Sequence, residues 1–328
     1  MSGVASSRFR AMSVDVVLIG VGLAPGEVAR AAETGARLAD WWEDRFSRFR
    51  PESDLCRMNA ANGIPVSVEP ATIDLIERAV EAVARSGGRF DPSILPALEA
   101  AGYRQSWAER ATWAAATFEA EPAMARPAAG VAGWSEVTID RQASTAALPP
   151  GMRIDFGGIA KGAFVDLLAE QLADWPGGAV DAGGDLVAWG EPPDAGGWTV
   201  GIEDPRNPDA DLLMLTLPPG TRTGVATSGT TRRRWATASG FAHHLIDPTS
   251  GRSLSDAVAT VTAVAATATA ADVAAKTVAV AIAAGAAPNL LDAAEAFVAY
   301  ADGRTRHFSR HWEDDRVTPN TCLDRRTA

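Results

Sequence analysis

The stretch Ile154-Asp155-Phe156-Gly157-Gly158-Ile159-Ala160-Lys161-Gly162 reads as a strand meeting two glycines and then a helix start with a lysine in its first turn. Such a junction suits an anion. Gly157 and Gly158 let backbone approach a phosphate, the N–H groups and dipole of the helix start favour negative charge, and Lys161 adds a point cation. A tight turn accounts for the glycines alone; the lysine and the preceding acid are what point to a ligand. A second candidate is Asp181-Ala182-Gly183-Gly184-Asp185, whose carboxylates suit ribose hydroxyls or an adenine amine, although a hairpin turn with solvated acids explains the same residues. A third is Thr227-Ser228-Gly229, followed by His243-His244-Leu245-Ile246-Asp247 and the turn Pro248-Thr249-Ser250-Gly251. On a strand the two histidines face opposite sides, so one can be buried while the other enters a site, with Asp247 near enough to orient or charge it. His307 and His311 have half of a zinc-site spacing, and the partners for the other half are missing.

Lys161 and Lys276 are the only lysines among 30 basic residues, so the rest are arginine. The bias fits genome composition, and it also marks both lysines as candidates for chemistry.

The elements that must position these groups follow from periodicity. Residues 14–20 alternate as a strand, and 26–49 carry Val28, Ala31, Gly35, Leu38, Trp42, Phe46 and Phe49 at helical spacing, which predicts a long amphipathic helix with an aromatic core stripe. A second helix is expected over 72–86, ended by Gly87-Gly88, and Asp91-Pro92 opens a short third. Residues 119–133 read as an excursion, 134–140 and 153–156 as strands, and 158–175 as a helix. Short strands are expected over 186–189, 198–203, 212–217, 243–246, 259–265 and 296–300, with a helix from Asp272. Clustered strands with few, long helices predict an α+β fold of mainly antiparallel sheets and disfavour a regular βαβ dinucleotide fold.

The chain has 328 residues, 47% of them hydrophobic, enough for a sizeable core. A net charge of -11 and a pI near 4.9 disfavour nonspecific binding to nucleic acid or anionic lipid. Cys56 and Cys322 lie too far apart for a metal or redox spacing. The opening residues lack the apolar run of a secretory signal, and the alanine-rich run 258–287 is interrupted by Asp272, Lys276 and threonines, so it reads as a strand and a helix and not as a membrane span. Together these features predict a cytoplasmic protein.

The ordered set Phe46-Ser47-Arg48-Phe49-Arg50-Pro51-Glu52-Ser53-Asp54-Leu55 with Asn59, Phe90-Asp91-Pro92 with Leu95-Pro96-Ala97-Leu98, 154–162 with Asp166, 181–185, Thr227-Ser228-Gly229, 244–251 and the segment around Asp272 resembles the ApbE family. The resemblance implies an ApbE-like, T-fold-like core in a single domain over 12–310, with 1–11 and 311–328 as flexible termini. It implies an FAD:protein FMN transferase that splits FAD, attaches FMN to a Thr/Ser hydroxyl of an acceptor flavoprotein and releases AMP. A noncatalytic FAD-binding protein or an FAD pyrophosphatase are the alternatives. By carry-over His244 is the acid/base, and Gly157, Gly158, Lys161, Asp181, Gly183, Gly184, Asp185, Thr227, Ser228 and Asp247 form the FAD pocket. The carbonyl of Ala160 and Asp272 would hold a magnesium ion at the pyrophosphate. In the family that this chain resembles, threonine often stands four residues after that acid, where the chain has Lys276, and Met-Gly-Thr often stands where it has Met12-Ser13-Val14. The acceptor would present a Thr/Ser flavinylation motif, of which Asp302-Gly303-Arg304-Thr305 resembles only the start.

Overall fold

The computed structural model describes residues 3–109, 127–194, 196–237, 240–310 and 323–324. The chain divides into two compact units. The first comprises Met1–Leu38, Lys161–Thr231 and Ser255–Ala328, and the second Ala39–Ala160 and Arg232–Leu254.

The first unit is built on an eight-stranded sheet. In spatial order its strands are Val4–Ala11, Val14–Val21, Gly177–Ala182, Asp185–Gly190, Thr223–Gly229, Val258–Ala265, Glu295–Tyr300 and Thr305–Ser309. Every neighbouring pair is antiparallel. Residues 4–11, expected in a flexible terminus, are therefore a strand. Their alternating Ala5, Ser7 and Phe9 fit a pleated surface, and each residue from Val4 to Ala11 pairs in register with Val14–Val21. The other expected terminus lies outside the described residues except for Leu323–Asp324, which pairs with the strand Asn207–Leu217.

On one sheet face lies the Ala268–Ala283 helix, packed on the strands Thr223–Gly229 and Val258–Ala265. Alanine side chains let this helix lie close to the sheet. At the tightest point a Cβ on Gly224 would stand 2.2 Å from the carbonyl carbon of Thr267, so only glycine fits. The helix start is held by the Thr267 hydroxyl, which accepts from Ala270 N, and by Asp166, which accepts from Ala268 N at 3.0 Å and Thr269 N at 2.9 Å. Trp198 and Leu217, from the hairpin Trp198–Asp204 and Asn207–Leu217, pack with Val21, Ala179, Ala188 and Val225 of the sheet. No helix among the described residues is long and apolar enough to cross a membrane.

The second unit holds the helices Asp54–Ala60, Pro70–Ser86, Leu95–Ala100 and Gly130–Trp134, a small sheet of Val66–Ser67, Thr145–Ala147 and Thr138–Asp140, and the hairpin Arg234–Thr237 with Gly240–His243. Its core includes Ala97, Leu98, Tyr103, Trp235, Ala242 and Ile246. The boundary between the units falls inside the Pro25–Phe46 helix. Trp42 and Phe46 are buried with ring centroids 4.3 Å apart, as the core stripe requires. Phe49 is not part of that stripe, because the helix ends at Phe46, and it remains 37% exposed.

Two further expectations are corrected. Trp134 ends a short helix and precedes the Thr138–Asp140 strand. Residues 153–155 form no strand, because Ile154 pairs with the Asn59 side chain and Asp155 turns the chain into a short helical turn at Phe156–Gly158. The excursion over 119–133 lies outside the described residues up to 126.

Candidate active site

In the first unit, Lys161 sits in the first turn of the Ala160–Gln171 helix and binds the carboxylate of fully buried Asp185. Asp185 opens its strand directly after the Gly183-Gly184 turn. Both glycines there have positive φ, 65° and 97°, a conformation other residues adopt only under strain. Asp181 holds the turn by accepting from Gly184 N at 2.8 Å. Asp181 thus shapes the backbone that presents Asp185.

The strand register separates the predicted ligand residues by face. Asp185 pairs with Ala226, so Ser228, two residues on, shares its face, which is the face the Ala268–Ala283 helix covers at Gly224. Asp181 pairs with Leu186, and Leu186 with Val225, so Asp181 and Thr227 lie on the opposite face, where Thr227 Oγ1 meets Thr262 Oγ1 at 2.8 Å. Asp185 and Ser228 are on one face of the sheet, Asp181 and Thr227 on the other.

Asp272, 2% exposed, projects from the Ala268–Ala283 helix, and Lys276 one turn later binds its Oδ1. Burial, together with the negative charge of Asp185, pushes the Asp272 carboxyl up to about 6, against the pull of Lys276 and Lys161. The four side chains form one charge cluster. Asp185 Oδ1 and Asp272 Oδ2 are buried and make no hydrogen bond. These are oxygens a magnesium ion would take, but each belongs to a carboxylate whose other oxygen already holds an ammonium. Two ammonium groups balance two carboxylates, no group of three His, Cys, Asp or Glu stands together among the described residues, and magnesium demands near-octahedral oxygen coordination. The residues present do not fit the ion.

In the second unit, Asp155 Oδ1 accepts from Gly157 N at 2.5 Å, and its other oxygen meets Arg48 Nε at 2.6 Å. Asn59 clamps the main chain of Ile154 with two hydrogen bonds of 2.8 and 2.9 Å. The start of the Gly157-Gly158 turn is therefore anchored by Asp155, which Arg48 holds, and by the Asn59 clamp on Ile154. The carbonyl of Ala160, the expected metal ligand, accepts from the Trp42 indole at 3.0 Å.

The histidines do not share a strand. His243 ends the strand Gly240–His243, is 1% exposed, and its Nε2 lies 2.9 Å from Leu254 O. His244 lies in the bend that follows, half-buried, with its N–H donating to Arg233 O at 3.2 Å. His243 is buried and His244 half-buried, and a bend, not a strand pleat, separates them. Asp247 shapes its own turn, accepting from Thr249 N at 3.0 Å while its carbonyl accepts from Gly251 N. His307 pairs with Glu295 at 3.0 Å and stacks on Phe297.

Sequence reasoning gave Asp166 no role. It is buried at 3% exposure, and besides the helix N–H groups it accepts from the Thr269 hydroxyl at 2.6 Å and from Arg222 at 3.3 Å. The threonines at the start of the alanine-rich segment signalled a helix N-terminus, but nothing local signalled an acid a hundred residues away.

Sheet, helices and cluster define an α+β protein with a buried, charge-balanced polar site. The chain belongs to the ApbE family, which residues 12–298 match. It is similar to an FAD:protein FMN transferase of Klebsiella pneumoniae (strain 342), at 30% identity over 227 residues, or 68% of this chain and 66% of that protein. Another of that name from Vibrio cholerae serotype O1 is 26% identical over 229 residues, or 69% of this chain and 66% of that protein. The chain thus spans just under two thirds of the length of these relatives. Among solved structures, the ApbE protein of Thermotoga maritima superposes with a TM-score of 0.75 at 23% identity, covering 94% of this chain and 98% of that one. The flavinyl transferase ApbE of Pseudomonas stutzeri, in its apo form, gives 0.70 at 23%, covering 94% and 95%. The α+β fold of mainly antiparallel sheets is the one these structures share.

Proposed function

We propose that this chain is an FAD:protein FMN transferase. An acceptor Thr or Ser hydroxyl attacks the FMN-side phosphorus of FAD. The new P–O ester forms as the bond to the AMP phosphate breaks, and AMP leaves. Phosphoryl transfer leaves little covalent work to the protein, so positioning and charge neutralisation carry most of the rate. The observation that supports the reading most is Lys161: a lysine in a helix first turn, directly after an anchored Gly-Gly turn and held by a buried aspartate, in a chain with only one other lysine. His244, half-buried in its bend, is our candidate for taking the hydroxyl proton. Magnesium dependence, which the family resemblance implies, is at odds with the ammonium groups on both carboxylates.

Incubating the protein with FAD and a threonine-containing acceptor should release AMP and leave flavin fluorescence on the acceptor after denaturing electrophoresis. AMP release without labelling would favour the pyrophosphatase reading. FAD binding without AMP would leave a binding protein. Titration should also show FAD bound more tightly than FMN, because the anion site recognises a pyrophosphate that FMN lacks.

A further inference from the structure

We propose that Lys276 is the resident cation of this site, occupying the carboxylate that a divalent metal would otherwise need, so that FAD cleavage proceeds without one. The cleavage half of this statement rests on the transferase reading above; the cation half does not.

Asp272 and Lys276 are four residues apart on one helix face, and the ammonium binds Asp272 Oδ1 while its Nζ also lies 3.5 Å from the Asp272 carbonyl. The side chain of Lys276 is only 17% exposed and that of Asp272 3%. Lys161 does the same for Asp185, whose side chain is fully buried. The only two lysines of the chain thus stand on the two aspartates of one cluster, with every other basic residue an arginine. Lysine suits this place because a compact ammonium neutralises a single oxygen and keeps a further N–H donor for a ligand, whereas arginine needs a planar fork of acceptors.

A divalent ion entering here could take only the second oxygen of a carboxylate already neutralised by an ammonium. It would then sit beside two ammonium groups in a buried region where repulsion is poorly screened. The neighbouring hydroxyl offers no substitute ligand: Thr277 is fully buried and its Oγ1 donates to Val273 O at 2.9 Å. With Lys276 in place, two ammonium groups serve the anionic ligand. With Lys276 removed, the buried Asp272 carboxylate lacks its counter-charge, and a metal ion can supply it.

The test uses the full-length protein stripped of divalent ions, with Mn2+ binding followed by the electron spin resonance of the free ion and AMP release from FAD followed in chelator. The wild type should bind no Mn2+ that Asp272→Asn removes, and its AMP release should be unaffected by chelator. Lys276→Thr, which puts a hydroxyl oxygen on the same helix face, should gain a Mn2+ site and depend on added metal, with a change of about 10–100-fold. Lys276→Met keeps the apolar stem and should lose AMP release in chelator, which covers the case of a poorly folded threonine variant. A wild-type Mn2+ site abolished by Asp272→Asn, or chelator inhibition of the wild type reversed by Mg2+, overturns the proposal. If no condition releases AMP, the transferase reading fails, and the Mn2+ titrations still decide whether Lys276 holds the cation position.

Discussion

His243 and His244 are adjacent and do different things. His243 is wholly buried and bonded to Leu254 O, so His243→Ala should cost about 2–4 kcal/mol in a denaturant melt through its cavity and an unsatisfied carbonyl. His244→Ala should unfold like the wild type while lowering transfer by about 10²–10⁴-fold, as loss of a general base does. A His244→Ala enzyme with full activity would remove it from the mechanism. Asp272 makes a second prediction. Its carboxyl is raised to about 6 by burial, so the folded protein holds that proton more tightly than the unfolded chain. This contribution to stability is fully present below about pH 4 and is lost as pH rises through about 6, up to about 3 kcal/mol in all. Asp272→Asn, neutral throughout, should flatten the slope of unfolding free energy between those values; an unchanged slope would mean that Asp272 titrates normally. The residues of both predictions were visible in the sequence, as was Lys161. The roles of Asp181 and Asp247 were not, because a carboxylate that holds a turn and one that faces a ligand have the same flanking residues.

At the scale of elements, the Ala268–Ala283 helix carries Asp272 and Lys276, and its placement depends on groups outside it. Asp166 holds its first N–H groups and Gly224 lets it reach the sheet. Asp166→Ala should leave those donors and Arg222 without their partner and cost about 2–4 kcal/mol, measured by chemical denaturation. A cost below half a kilocalorie would show that water replaces the cap. The strand Val14–Val21 and the helix Pro70–Ser86 follow directly from period-2 and period-3.6 patterns, and Gly87 ends the helix with a positive φ of 62°. The stretch 153–156 alternates in the same way yet is no strand, since Ile154 is buried by a side-chain clamp from Asn59 that no local pattern encodes. Residues 4–11 were missed for the opposite reason: serines and arginines give a strand with one wet face too little apolar signal.

For the whole molecule, the second unit is discontinuous, with Ala39–Ala160 completed by Arg232–Leu254. The returning segment brings Trp235, Ala242 and Ile246 to a core that otherwise has Ala97, Leu98 and Tyr103, and the Trp235 indole donates to Ala101 O at 2.7 Å. A fragment of residues 39–160 alone should therefore show no cooperative thermal transition, whereas joining 232–254 to it through a flexible linker should restore one. Cooperative melting of the short fragment would show that the returning segment is dispensable to that core.

The same discontinuity sets an order of events during synthesis. When residue 160 leaves the ribosome, the apolar surface around Leu98 and Tyr103 lacks Trp235, Ala242 and Ile246 until residues 161–254 have followed, a wait of roughly 5–20 seconds at ~5–20 residues per second. That interval exceeds by orders of magnitude the time in which a chain of this size collapses on itself. A nascent chain of this protein thus exposes apolar core surface over a defined window of translation, opening after residue 160 and closing near residue 254.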